Sequence, residues 1–145
     1  MSETPDLPEG YEFSADPARV DVDRVHGWLS SDAYWALGRP REQHERAMAS
    51  SLNFGVYAAV SGEQVAYARV VTDQALFGWL ADVYVDPSVR GEGIGTAFVA
   101  RVRDHLAPLG LRRLLLATED AHEVYRKIGF RPLDRPDQYL ALAFG

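Results

Sequence analysis

Apolar residues recur along this chain at two spacings, and the switch between them outlines its elements. A short strand is predicted over 11–14. Val22, Val25 and Leu29 then share one face at helical spacing, which predicts a helix over 21–29. The stretch 30–40 is irregular and contains Tyr34 and Trp35, and Pro40 is placed to open a helix over 41–51. Strands are predicted over 54–60 and 64–71, joined by the turn residues Ser61, Gly62 and Glu63. Asp73 and Gln74 turn the chain into a further strand over 77–85, carrying Leu80, Val83 and Val85, which Pro87 stops.

From Ile94 the period becomes helical. Ile94, Phe98, Val102 and Leu106 recur every four residues, with Arg101, Arg103 and Asp104 elsewhere on the wheel, until Pro108 and Gly110 end the helix. A buried-looking strand over 111–117 is centred on Leu114, Leu115 and Leu116. A last helix over 119–128 puts Ala121, Val124, Tyr125 and Ile128 on one side and closes at Gly129. Closing strands are predicted over 130–133 and 138–142. This order predicts an α+β, three-layer α/β/α domain with a mixed, mostly antiparallel sheet of about seven strands and helices on both faces. Residues 1–10, with their prolines and acids, are expected to form a loose leader, and 11–145 a single domain.

Composition narrows the function classes. No apolar run reaches the ~18 residues of a membrane span. The acidic, polar start is the opposite of a secretory signal, so a cytoplasmic location is expected. The chain has no cysteine, which excludes disulfides, thiolate metal sites and a cysteine nucleophile. His26, His44, His105 and His122 are scattered without metal-ligand spacing, and no metal is assigned. A net charge of −6 disfavours nucleic-acid binding; it mildly favours a cationic partner, or serves solubility alone. An exposed sheet edge would support a homodimer.

The most informative stretch is Val83-Tyr84-Val85-Asp86-Pro87-Ser88-Val89-Arg90-Gly91-Glu92-Gly93-Ile94-Gly95-Thr96. A strand enters a tight glycine loop that opens directly into an amphipathic helix. The first amides of a helix lack internal partners and carry the positive end of its dipole, so they can seat a diphosphate. Glycines let phosphate oxygens approach the backbone, and Arg90 adds positive charge at the loop mouth. A dinucleotide GxGxxG pattern fails, because its sixth position from Gly91 is Thr96 and from Gly93 is Phe98. The Gly-Lys-Ser/Thr of a nucleotide P-loop is absent.

Val85-x-Pro87-x-x-Arg90-Gly91-x-Gly93-Ile94-Gly95 resembles the acetyl-CoA signature of the GCN5-related N-acetyltransferase (GNAT) family. Ala121-x-x-x-Tyr125-x-x-x-Gly129-Phe130 resembles that family's second motif, at the family's usual separation. The resemblance covers about 11–142. It implies an acetyl-CoA-dependent N-acetyltransferase acting on a primary amine of a small molecule or protein, by direct attack in a ternary complex. It further implies that Gly91, Glu92, Gly93, Ile94, Gly95 and Thr96 hold the CoA pyrophosphate beside Arg90. Val83, Tyr84 and Val85 would bond the pantetheine arm, which enters where a bulge splays this strand from the next. Thr118 stands where the family often has asparagine, and its hydroxyl would cap the last helix and touch the cofactor.

Acetyl transfer from sulfur to nitrogen needs a neutral amine and a protonated leaving thiolate. By resemblance Tyr125 is the acid, although helical periodicity alone would make it a core tyrosine. The family's strand glutamate corresponds to Ala81 here. The adjacent Asp82 either binds the amine, accepts its proton through water, or is structural; Asp73 is a weaker second choice. Tyr34 and Trp35 lie where the family builds its acceptor pocket, and they either hold the acceptor or pin a loop to the core. The alternative to an enzyme is a non-catalytic acyl-CoA-binding sensor or interaction module, which the alanine at position 81 favours and Tyr125 opposes.

Overall fold

Residues 5–145 are described by the structure, a computed structural model, so the first four residues of the expected leader lie outside the described residues. Five strands, β1 (Tyr11–Ser14), β2 (Leu52–Ala58), β3 (Gln64–Thr72), β4 (Phe77–Val85) and β5 (Arg113–Leu115), form one sheet in sequence order. The first three pairings are antiparallel and β4–β5 is parallel. A parallel neighbour requires a crossover, and α3 (Ile94–Leu106) supplies it, with α4 (His122–Arg126) packed beside it. On the other face lie α1 (Val22–Asp32) and α2 (Arg41–Ala49).

Strand alternation builds two cores. Ala66, Ala68 and Val70 of β3 face α3, where Phe98, Val102 and Leu106 meet Phe54 and Val56. Tyr67, the intervening residue, points the other way and packs with Val25, Leu29 and Tyr84. β4 does not keep this alternation. Tyr67 pairs with Tyr84 but Arg69 with Ala81, so two steps on β3 face three on β4. The extra residue is a bulge at Asp82, whose φ of 54° lies in the left-handed region. As a result Leu80 joins the α3 core while Tyr84, four residues on, joins the α1 core. The bulge turns both Asp82 and Tyr84 toward the α1 side, and the site depends on that inversion.

Four expectations need correction. The sheet has five strands rather than seven, because 130–133 and 138–142 pair with no strand: Phe130 is half-buried against the α3 core, and 131–133 and 138–142 are exposed. The strand expected over 111–117 shrinks to Arg113–Leu115, since β4 diverges after three paired residues. The last helix begins only at His122, because the Thr118 hydroxyl takes the Ala121 N–H at 3.1 Å and holds 119–121 in a turn. Part of the leader is tied down: Leu7 packs on the α3 core, and the Gly10 carbonyl accepts from the Ala59 N–H at 2.8 Å. Among the described residues no helix is long and apolar enough to cross a membrane.

Candidate active site

β4 pairs with β5 only through Phe77, Gly78 and Trp79, leaving Leu80 to Val85 unpaired on that side. The sheet therefore opens into a cleft after the third pair. At the far end of β4 the Asp86 carboxylate accepts from the Ser88 N–H at 2.9 Å, turning the chain into the glycine loop. Gly91 and Gly93 have φ of 88° and 83°, where any side chain would be strained. Gly93 is the residue before the first turn of α3, and no side chain caps that turn. The leading amides are thus left with the dipole behind them and no side-chain acceptor. A Cβ on Gly91 or Gly93 would meet nothing within 4 Å, so the space above the loop is open. Gly95 approaches the end of β4, its hypothetical Cβ 3.7 Å from Val85.

Arg90 is turned back along β4 rather than out from the loop. Its Nε donates to the Val85 carbonyl at 2.9 Å, and its guanidinium lies 5.1 Å over the Tyr84 ring and 3.6 Å from Asp32. The Tyr84 hydroxyl donates to the same Asp32 carboxylate at 2.5 Å. Burial, then that hydrogen bond, pushes the Tyr84 pKa up to about 12. Val83 and Val85 are half-buried against the α3 core. Glu92 is exposed, its carboxylate 3.4 Å from the Tyr11 hydroxyl.

Asp82 is buried, with only 2% of its side chain exposed. Arg39 grips it through two nitrogens at 2.7 and 3.1 Å, Arg69 donates through Nε at 2.7 Å, and the Trp35 indole donates at 2.8 Å. Burial alone would raise the carboxyl pKa, but the hydrogen bonds and charges of the two arginines outweigh it, and the net shift is downward. Asp73 is exposed in the β3–β4 turn, where it accepts from the Ala75, Leu76 and Phe77 amides.

The loop between α1 and α2 spans the cleft at its other end. The Tyr34 hydroxyl accepts from the Glu119 N–H at 3.0 Å, joining that loop to the segment after β5. Tyr34 meets Trp35 edge-on at 4.9 Å between ring centres, and both are about half exposed. Tyr125 is half-buried, edge-on to Phe130 at 5.7 Å. Burial chiefly, with added repulsion from Tyr34 and Asp120, pushes its phenol up to about 12. A cavity of about 820 Å³ runs along β5 and α4 and includes Tyr125 and Thr118, but no residue of 91–96.

The structure thus gathers Tyr34, Trp35, Asp82 and Tyr125 at one end of the opening and 90–96 at the other. Sequence reasoning missed Arg39, Arg69 and Asp32. Arg69 carried a signal, as a lone charge inside an otherwise apolar strand; Arg39 and Asp32 lie on a loop and a helix end and carried none. His44 is fully buried, 5.3 Å from the His26 ring, with neither ring nitrogen hydrogen-bonded. Burial lowers its pKa to about 4, keeping it neutral. Among the described residues no group of three His, Asp or Glu could hold a metal ion.

A mixed sheet opened after its fourth strand, with an uncapped helix start at one end of the opening and a phenol at the other, defines an acyltransferase architecture. The profile of the Acetyltransferase (GNAT) family matches residues 22–130, and the chain belongs to that family. A Gibberella zeae protein whose name assigns it to the acetyltransferases is 33% identical over 135 residues, covering 81% of this chain and 76% of that protein. Serotonin N-acetyltransferase 2 of Oryza sativa subsp. japonica, a chloroplast protein, is 30% identical over 121 residues, covering 79% of this chain and 60% of the rice protein. Among solved structures, a GNAT-family protein of Xanthomonas campestris pv. campestris superposes with a TM-score of 0.87 at 39% identity, covering 95% of each chain.

Proposed function

We propose that this protein moves the acetyl group of acetyl-CoA to a primary amine of a small molecule or protein, by direct attack in a ternary complex. One observation carries the reading: a glycine loop with open space above it leads into an uncapped helix start at the mouth of a split sheet. Amides of 91–96 suit a diphosphate, and the unpaired edge of Val83, Tyr84 and Val85 suits an amide-bearing arm lying alongside like another strand. Thr118, whose hydroxyl caps the turn before α4, borders the same end of the cleft. Tyr34 and Trp35 offer aromatic faces to the acceptor, and the rice relative is named for an amine acceptor.

In this reading the amine nitrogen attacks the thioester carbonyl, the carbon–sulfur bond breaks, and Tyr125 donates a proton to the departing sulfur. The amine loses its proton to water, which returns one to the phenolate. Asp82 is assigned to positioning: its charge is spent on Arg39 and Arg69, and its lowered pKa makes it a poor proton acceptor. The acceptor therefore arrives neutral. Because a lysine-like amine has a pKa of ~10.4, its neutral fraction rises about tenfold per pH unit below that value.

A labelled acetyl-CoA assay over an amine panel tests this. Expected are transfer to at least one amine, intersecting initial-rate lines, and kcat/KM rising with a slope near one toward alkaline pH. Parallel lines would mean an acyl-enzyme, and coenzyme binding without turnover on any amine would favour the sensor.

A further inference from the structure

Two guanidinium groups meet one carboxylate on the α1 side of the sheet, so one positive charge is left over. Asp82 takes Arg39 and Arg69 at 2.7 Å each, and among the described residues neither arginine pairs with a second acid. The Asp82 side chain is 2% exposed, whereas those of Arg39 and Arg69 are 16% and 15% exposed. The carboxylate is therefore sealed behind the two cations, and the part of the cluster that meets solvent is positive. Arg39 binds through Nη1 and Nη2; Arg69 binds Asp82 through Nε and Ser51 through Nη1. Among the described residues, Arg39 Nε and Arg69 Nη2 have no hydrogen-bond partner. A cavity of about 490 Å³ lies here, with Trp35, Leu37, Arg39, Pro40, Gln43 and Arg69 in its wall, and no acidic residue lines it. Trp35 joins the cavity to the cleft, since its indole donates at 2.8 Å to Asp82, within the stretch of β4 that leaves β5.

A cation left over in a half-closed site is costly, because water is partly withdrawn from it. One arginine would balance Asp82; the second adds repulsion that an incoming anion removes. Resting on the reading of acetyl transfer to an amine, we propose that this cavity binds a carboxylate of the acceptor, so that the substrate is an amine bearing a carboxylate. Charge sets the class. A monoanion cancels the single surplus charge, whereas a phosphate monoester, at about −1.5 to −2 near neutrality, overbalances it. The two spare N–H donors suit carboxylate oxygens, which guanidinium groups match in geometry as well as sign. The acceptor's acid group is then held on the α1 side while its amine reaches the unpaired stretch of β4.

The probes are linear ω-amino acids of increasing length and apolar α-amino acids, each paired with its primary amide, and labelled acetyl-CoA. Rates are divided by each amine's neutral fraction, so that differences in amine pKa drop out. At least one acid should exceed its amide in kcat/KM by about tenfold or more, the range of a hydrogen bond to a charged group, with the difference in KM. Arg39 and Arg69 also hold Asp82, so Gln43, which lines the cavity outside that network, carries the test. Gln43→Glu should cut the preference and Gln43→Lys should raise it, each by about threefold or more. Equal rates for acid and amide would overturn the proposal. So would a higher rate with phosphoethanolamine than with any amino acid, or a preference indifferent to both Gln43 variants. If no amine is acetylated, the transfer reading fails, and calorimetric titration with the same acid–amide pairs decides the cavity by itself. Acid binding weakened by Gln43→Glu then upholds the carboxylate site, and no binding by any acid overturns it.

Discussion

Replacing Tyr125 by phenylalanine is expected to lower kcat by about 10²–10⁴-fold while leaving the affinity for acetyl-CoA close to native. The phenol is half-buried and its pKa is pushed up to about 12, first by burial and then by Tyr34 and Asp120. It therefore keeps its proton throughout the neutral range and cannot serve as a base there. The same burial strengthens a hydrogen bond to negative charge developing nearby, so the proton moves only as sulfur leaves. The alkaline limb of the native rate profile should show no loss traceable to this group below its pKa. Phenylalanine keeps the edge-on packing against Phe130, so steady-state kinetics with a parallel binding measurement separates the two roles. An unchanged kcat removes Tyr125 from the chemistry; a loss of affinity with kcat intact makes it part of the cleft wall.

Replacing Asp82 has its largest effect on stability. Asp82→Ala should cost about 3–5 kcal/mol, the usual cost of removing one partner from a buried ion pair, and lower Tm by roughly 10 °C or more. Arg39 and Arg69 would be left facing one another with their side chains 16% and 15% exposed, and the Trp35 indole would lose its acceptor. Asp82→Asn is the sharper electrostatic test. Asparagine tolerates the left-handed backbone of the bulge and still accepts from Trp35, but cannot balance two guanidinium groups. The sign with pH follows from the lowered folded pKa. The carboxylate's contribution is complete above its unfolded value of ~3.9 and disappears as pH falls through the lower folded value. Urea midpoints of native protein and Asp82→Asn should therefore differ most near neutrality and converge below about pH 4. A constant gap across that range would show that the loss is one of packing, not charge.

Local chemistry was legible in the sequence wherever a residue type forces a backbone state. Pro87, Gly91 and Gly93 foretold the end of β4, the loop and the start of α3, and apolar runs set off by the turn residues at 61–63 and 73–74 foretold β2, β3 and β4. Pairing was not legible in the same way. Residues 138–142 have strand spacing, yet no edge within the chain receives them, and spacing carries no information about partners. The family resemblance implied a bulge in this strand, but its place at Asp82 was hidden, because the count of residues on a neighbouring strand sets it. Its consequence is large: it turns Asp82 and Tyr84 to the α1 side, and without it the aspartate would not meet Arg39 and Arg69. Tyr125 shows the converse. Helical periodicity alone makes it a core residue, and the half-buried position agrees, but it also lines the cavity along β5 together with Thr118.

The most direct test of the account is a calorimetric titration of the full chain with acetyl-CoA, repeated on Gly93→Val. Saturable binding at one site per chain is predicted for the native protein, weakened at least tenfold by the valine, whose branched side chain would occupy the open space over the loop at a backbone φ of 83°. No binding by the native protein at millimolar coenzyme, or equal binding by both proteins, would contradict it.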